Sequence, residues 1–244
     1  MHYMKRLDVL LSEKQIFPTR EKAKEAIASG IIYANGKLCT KAGEKFDENV
    51  NIEIKGDVLK YVSRAGLKLE KATNEWNISF ANKTVIDVGA STGGFSDFAL
   101  QNGAKHVFAV DVGFGQLHEK IKNNPKVTNL EKTDFRTLPP LPEKIDIAVC
   151  DCSFISLKLL LPKFCQVLPT NAELVVLIKP QFECGKQIAQ KTHGVIKDEK
   201  LQQKVKTDII STFEANNFKC LGSCESPILG TAGNREFLAY FVKK

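Results

Sequence analysis

Val85-Ile86-Asp87-Val88-Gly89-Ala90-Ser91-Thr92-Gly93-Gly94-Phe95 is an apolar run that empties into a glycine-rich turn, and Val107-Phe108-Ala109-Val110-Asp111 is a second apolar run that ends on a carboxylate. Further strand patterns follow at 126–130, 145–151, 173–179, about 218–224 and 236–242. Helical stretches fit at 64–76, 94–102, 115–123, 155–167 and 198–216. Strands alternating with helices predict an α/β domain built on a doubly wound, mostly parallel seven-stranded sheet. The last two strands have no helical pattern between them, which predicts an antiparallel hairpin at one edge.

The glycine turn also constrains the ligand. Glycines let a backbone approach a bound molecule closely, and a carboxylate at the end of the next strand can accept hydrogen bonds from both hydroxyls of a ribose. Together they suit an adenosine-containing cofactor. A dinucleotide loop would read Gly-x-Gly-x-x-Gly, but Ser91 stands where its second glycine belongs, and Asp87 would repel a pyrophosphate. A carboxylate at that place suits a cationic ligand, which favours S-adenosylmethionine over NAD. The expected pocket is Asp87, Gly89, Ser91, Gly93, Gly94 and Phe95, with Asp111 on the ribose and Asp134 on the adenine amino group. Gly113, Gly115 and Gln116 could line the same crevice or be ordinary loop residues.

Residues 1–58 read as a separate small α+β unit, 59–63 as a linker and 64–244 as the large domain. Leu7, Leu10 and Leu11 recur at helical spacing, Thr19 is placed to cap a second helix over Arg20 to Ser29, and Gly30 to stop it. Asn35-Gly36 is a strong hairpin-turn signal, and Val50 to Ile54 alternates as a strand. Residues 1–60 carry eleven basic and nine acidic side chains, a net charge of only +2, so RNA binding by this unit requires its cations to share a face. Lys5, Arg6, Arg20, Lys24 and Lys37 are the candidates for phosphate contact. The segments Lys5 to Leu11, Thr19 to Ala23 and Gly30 to Lys37 resemble the small RNA-binding module of a small-subunit ribosomal protein, the S-four domain. A helical hairpin with ordinary solvated charges is the plainer reading.

Over the whole chain the net charge is +7, consistent with a polyanionic partner or with a mildly basic surface. No apolar run is long enough to span a bilayer, and the N-terminus lacks the apolar stretch of a signal peptide, so a cytoplasmic location is expected. The seven cysteines are irregularly spaced and the four histidines scattered, which predicts reduced thiols and no structural metal.

Three chemistries remain open at the acceptor side. Cys150-Asp151-Cys152-Ser153-Phe154 ends the fourth strand of the large domain, where enzymes methylating base nitrogens carry Asn/Asp-Pro-Pro-Tyr/Phe. Cys152 could instead serve as a nucleophile on a pyrimidine carbon, although buried cysteine is more often inert. The third reading uses more of the chain. Lys179 ends an apolar strand in the same crevice as Asp151, Lys68 opens the helix before the first strand, and Glu236 starts the last one. Lys-Asp-Lys-Glu is the residue set of ribose 2′-hydroxyl methyltransferases. Phe154 and Phe182 are read first as core aromatics, and otherwise as a stacking platform for a flipped cytidine.

With these blocks in place, Ser63-Arg64-Ala65-Gly66-x-Lys68-Leu69, Asp87 to Asp97, Lys179-Pro180-Gln181-Phe182-Glu183 and Gly233-Asn234-x-Glu236-Phe237, the chain resembles the TlyA family, also described as haemolysin A or FtsJ-like. The resemblance implies a class I, Rossmann-like methyltransferase domain that uses S-adenosylmethionine to methylate a cytidine 2′-hydroxyl of ribosomal RNA. It implies Lys68, Asp151, Lys179 and Glu236 as the catalytic set. The short ends resemble the subgroup that modifies only large-subunit RNA, with both subunits as the wider range. The stretch from Gly185 to Lys200 looks like an insertion and leaves the placement of Glu236 less determined than that of Lys179. A non-catalytic ribosome-assembly factor is the reading from another class, disfavoured by the intact set. Direct membrane lysis is disfavoured by the lack of a long basic amphipathic helix.

Overall fold

The computed structural model describes residues 4–28, 30–55, 60–230 and 233–244, arranged as two compact units, Met1–Arg64 and Ala65–Lys244. The expected helix end at Ser29 and the residues Gly56 to Leu59, where the small unit was expected to give way to a linker, lie outside the described residues.

In the first unit, β1 (Lys5–Arg6) leads directly into α1 (Leu7–Glu13) and pairs antiparallel with β4 (Lys45–Phe46). Helix α2 (Arg20–Ala28) begins where expected, because the Thr19 hydroxyl accepts the Lys22 N–H at 3.2 Å. Asn35 and Gly36 both take positive φ and close the hairpin between β2 (Ile32–Ala34) and β3 (Lys37–Leu38), and β5 (Ile52–Ile54) pairs on the other edge of β2. Leu7, Leu10 and Leu11 pack against Ala23, Ala26 and Ile27, and Ile31, Ile32 and Ala34 complete the core.

The second unit starts with α3 (Ala65–Trp76), which buries Gly66, Lys68, Leu69 and Ala72, so Lys68 lies on its inward face. Strand β6 (Thr84–Val88), helix α4 (Gly94–Gln101), strand β7 (His106–Val110), the short α5 (Glu119–Lys122) and strand β8 (Val127–Leu130) follow in turn. A 3-10 turn at Phe135–Thr137 precedes β9 (Ile147–Cys150), α6 (Leu157–Val167) and β10 (Glu173–Ile178). The chain closes with α7 (Pro180–Glu183), α8 (Lys186–Lys191), α9 (Glu199–Glu214), β11 (Phe218–Glu225) and β12 (Phe237–Lys243). The seven strands lie in the order β11-β12-β10-β9-β6-β7-β8. All pairings are parallel except those of β12, which runs antiparallel to both β10 and β11.

This order fixes where a ligand can enter. From β6 the chain winds outward through β7 and β8, then returns to place β9 on the other side of β6. The C-terminal ends of β6 and β9 therefore flank the topological switch point of the sheet, where crevices open in such folds. Val88 is in register with both Val110 and Cys150, so the next residues, Gly89, Asp111 and Asp151, leave the sheet side by side. Ile178 is paired with Phe237 in the antiparallel sense, which puts Lys179 beside Glu236. Beneath the crevice, Ile86, Val88, Phe108, Ala148, Val176 and Ile178 pack with Phe164, Phe213 and Phe241 in the core.

Candidate active site

On the β6–β7 side, the glycine positions are required by geometry. Gly89 has φ +82, and a Cβ there would lie 2.9 Å from Cys152 Sγ and 3.0 Å from the Asp151 carbonyl oxygen. Gly93 has φ +91, with Leu117 Cδ1 at 2.9 Å from the same construction. Ser91 also adopts positive φ, and its N–H donates to Asp111 Oδ2 at 2.8 Å while Gly113 N–H donates to Oδ1 at 2.7 Å. Two backbone donors thus hold the Asp111 carboxylate, and each oxygen keeps a lone pair for a further donor. The Ser91 hydroxyl donates to Gln116 Oε1 at 3.2 Å, bringing Gln116 to the same rim.

Other residues expected around the cofactor are differently placed. Asp87 is 1% exposed and accepts the Ser96 hydroxyl at 2.7 Å, so it lies under the loop and acts on the crevice through its field. Burial pushes its pKa up to about 7 against the opposing Ser96 hydrogen bonds. Gly94 and Phe95 open α4, but the Phe95 ring is 2% exposed, which leaves only its backbone near the loop. Asp134 caps the 3-10 turn and holds Arg136 through both carboxylate oxygens, with Arg136 Nη2 at 2.6 Å from Oδ2. Those bonds hold its carboxyl below the usual range and occupy the group expected to meet an adenine.

On the β9–β10 side the four expected residues converge. Lys68 Nζ lies 3.2 Å from Asp151 Oδ2 and 2.8 Å from Glu236 Oε2. Lys179 Nζ lies 2.5 Å from Asp151 Oδ1 and donates to the Ser153 hydroxyl at 2.9 Å. Two ammonium groups and two carboxylates form a chain of zero net charge, which is what allows it to be buried. Desolvation opposes the Lys68 charge, but Asp151 and Glu236 outweigh it and hold the ammonium above its ordinary pKa. Burial likewise raises the Asp151 carboxyl, and Lys68 and Lys179 together bring it below the ordinary value.

Glu236 reaches its place despite the long stretch after β10. That stretch contains α8 and is pinned by the buried Asn234, whose Nδ2 donates to the Gly194 carbonyl at 2.8 Å and whose Oδ1 accepts the Ile196 N–H at 2.9 Å. A Cβ at Gly230 would lie 2.5 Å from Glu236 Oε1, so the absence of a side chain there makes room for the carboxylate.

The two aromatics differ from the core reading. Phe154 has φ +65 and is 91% exposed, and its ring lies 5.1 Å from that of the partly buried Phe182 at an interplanar angle of 49°. Lys179 Nζ stands 5.9 Å from the Phe182 centroid, so the aromatic pair borders the charged chain. Cys152 Sγ packs against the Val88 carbonyl at 3.5 Å and closes over Gly89, a packing role for that thiol. Ser153 was not singled out by sequence reasoning. Its position two residues after a strand-end carboxylate was the available signal, with nothing to distinguish it from any loop serine.

In the first unit, the candidate RNA-binding cations divide. Arg6 and Arg20 converge on the fully buried Asp8, with Arg6 Nε 2.9 Å from Oδ1 and Arg20 Nη2 3.0 Å from Oδ2. Each arginine side chain remains about half exposed, at 48% and 49%. Lys5 sits instead between Glu13 and Glu48, at 2.9 and 2.8 Å, while Lys24 and Lys37 are exposed. Among the described residues no cluster of three or more His, Cys, Asp or Glu side chains could hold a metal ion, and no helix is long and apolar enough to cross a membrane.

Comparison with known proteins agrees with this architecture. Residues 61–243 match the FtsJ-like methyltransferase family and residues 5–52 match the S4 domain. The chain is 46% identical over 241 residues to YqxC of Bacillus subtilis, described as a candidate rRNA methyltransferase, covering 96% of this chain and 84% of that protein. It is 34% identical over 239 residues to the 16S/23S rRNA (cytidine-2′-O)-methyltransferase TlyA of Mycobacterium tuberculosis, covering 96% of this chain and 88% of that one. A solved structure from Streptococcus thermophilus, described as a candidate hemolysin, is 40% identical with a TM-score of 0.78, covering 100% of this chain and 90% of that chain. The chain belongs to the FtsJ-like methyltransferases, within the TlyA family in which that domain follows an S4 domain.

Proposed function

We propose that this protein transfers a methyl group from S-adenosylmethionine to the ribose 2′-hydroxyl of a cytidine in ribosomal RNA, with large-subunit RNA as its first substrate. The observation that carries this reading is the chain Glu236–Lys68–Asp151–Lys179, assembled beside the glycine loop at one end of the sheet. The crevice fits the cofactor in its donor set: the Ser91 and Gly113 N–H groups orient the Asp111 carboxylate, which keeps lone pairs for the hydroxyls of a ribose. Asp87 beneath the loop supplies negative potential toward a cation. When bound, S-adenosylmethionine supplies an electrophilic methyl group on a sulfonium.

The protein's own groups then position the acceptor and handle its proton. Lys179, its Nζ fixed by Ser153 and Asp151, is placed to hold the 2′-oxygen and, as the neutral amine, to take the hydroxyl proton and become the ammonium that Asp151 pairs. Asp151 orients both lysines. Lys68 and Glu236 complete the hydrogen-bond network around the hydroxyl. Phe154, exposed beside this network, is the platform on which the extruded base stacks, with Phe182 behind it. Arg6 and Arg20 bind phosphates, and Lys24 and Lys37 extend the contact.

The test is transfer of labelled methyl from S-adenosylmethionine to isolated large subunits, small subunits and free ribosomal RNA. Incorporation into large-subunit RNA is expected, with Lys179→Ala reducing turnover at least a hundredfold while cofactor binding persists, a size consistent with loss of a general base. Full turnover by Lys179→Ala would remove its assigned role. A Cys152→Ser enzyme is expected to keep its activity, since the thiol is a packing group here.

A further inference from the structure

We propose that Glu183 is a positioning residue for the acceptor nucleotide: it fixes the loop that carries Phe154 and so sets where an extruded base stacks relative to Lys179. The inference rests on the reading of Phe154 as the base platform.

Two segments leave the sheet side by side, 151–157 after β9 and 179–183 after β10. They are joined at three levels. Nearest the sheet, Lys179 meets Asp151 and Ser153. In the middle, Phe182 meets Phe154. Farthest out, Glu183 Oε1 accepts the Leu157 N–H at 2.8 Å and Oε2 accepts the Ser156 hydroxyl at 2.5 Å. Glu183 thus sits at the N-terminus of α6, where a carboxylate satisfies a first-turn donor and the helix dipole favours its charge.

Phe154 needs such support. Its left-handed backbone is costly for a residue with a Cβ, and a ring 91% exposed gains little from burial. The conformation must be held from its flanks, by the Ser153 hydroxyl on one side and by Ser156 and Leu157 on the other. Burial pushes the Glu183 carboxyl above its ordinary range, and the Leu157 and Ser156 bonds only partly oppose this. A half-buried carboxylate at that cost, ending the same short segment that begins with Lys179, ties the platform to the reacting end of the site.

The test is a double-mutant cycle on the full-length protein, with large ribosomal subunits lacking the modification as the methyl acceptor. Phe154→Ala and Glu183→Ala are each expected to lower kcat/KM for the subunit by about tenfold or more, in the range of one lost base-stacking contact. The affinity for S-adenosylmethionine, measured by calorimetry, should stay unchanged in both. Adding Glu183→Ala to Phe154→Ala should cost little further. Glu183→Gln should retain most activity, because its amide oxygen still accepts the Leu157 N–H. Ser156→Ala, which removes the hydroxyl bonded to Oε2 and the cap on the Lys158 N–H but keeps Glu183 on the Leu157 N–H, should show a smaller loss that also vanishes in the Phe154→Ala background, and it serves where Glu183→Ala does not fold. Losses that multiply, with Phe154→Ala itself impaired, contradict the role of Glu183 and leave the platform standing. Wild-type turnover by Phe154→Ala removes the platform and the proposal together.

Discussion

Asp87 is a carboxylate buried under the glycine loop, and that burial pushes its pKa up to about 7. Its burial therefore favours the fold at low pH, and that contribution is lost as pH rises through about 7. Asp87→Asn keeps an acceptor for the Ser96 hydroxyl and removes the charge. It should raise Tm, and by more at pH 8 than at pH 5, while weakening S-adenosylmethionine by about tenfold, the equivalent of roughly 1.4 kcal/mol. A Tm gain independent of pH would contradict this. The Lys68–Glu236 pair makes the opposite case, a charge that is buried because it is matched. Lys68→Met leaves Glu236 and one oxygen of Asp151 uncompensated, a loss on the order of 3–5 kcal/mol in denaturant unfolding. Lys68→Met with Glu236→Leu should recover part of that stability and no activity, separating what the pair does for the fold from what it does for the reaction.

At the scale of elements, the site is made by strand register rather than by any one motif. The ends of β6, β7 and β9 are level, so a single displacement at the β6 turn is felt by both halves of the crevice. Gly89→Ala would force a side chain into positive φ and against the Asp151 carbonyl and Cys152 sulfur. It should destabilise the fold by about 1 kcal/mol or more. Cofactor binding and methyl transfer should fall together, in contrast to Lys179→Ala, where only transfer falls. The strands and helices of this sheet were legible because buried apolar runs and glycine stops are local signals. The antiparallel end was legible too, from the missing helix before β12. What no local signal carried was the backbone of Phe154. A phenylalanine after Asp-Cys-Ser reads as core by composition, and its exposure follows only from the left-handed turn that carries the chain from β9 into α6. Glu183 was visible within its motif, yet its bonds to Ser156 and Leu157 join residues far apart in sequence. Asp87 and Asp134 were found as carboxylates at strand ends, but their partners Ser96 and Arg136 decide what they can touch.

For the whole molecule, the chain couples an RNA-binding unit to a methyltransferase unit, and their contributions should separate in kinetics. Asp8 holds Arg6 and Arg20 on one carboxylate, so the two half-exposed side chains are fixed close together. Arg6 and then Arg20 hold the Asp8 carboxyl down to about 2 against its burial, so this stabilisation is present above pH 3.8 and lost as pH falls through about 2. Arg20→Ala should raise KM for the ribosomal substrate with kcat at saturation preserved, and should lower the slope of log affinity against log salt by about one. An unchanged salt slope would mean that Arg20 serves the fold alone. The position of the methyl group on the RNA separates ribose chemistry from base chemistry. RNA labelled by the purified protein from S-adenosylmethionine should yield, on alkaline hydrolysis, label in a dinucleotide whose internucleotide bond resists cleavage, and nuclease digestion should release 2′-O-methylcytidine. Label recovered in alkali-cleaved mononucleotides carrying a methylated base would contradict the account.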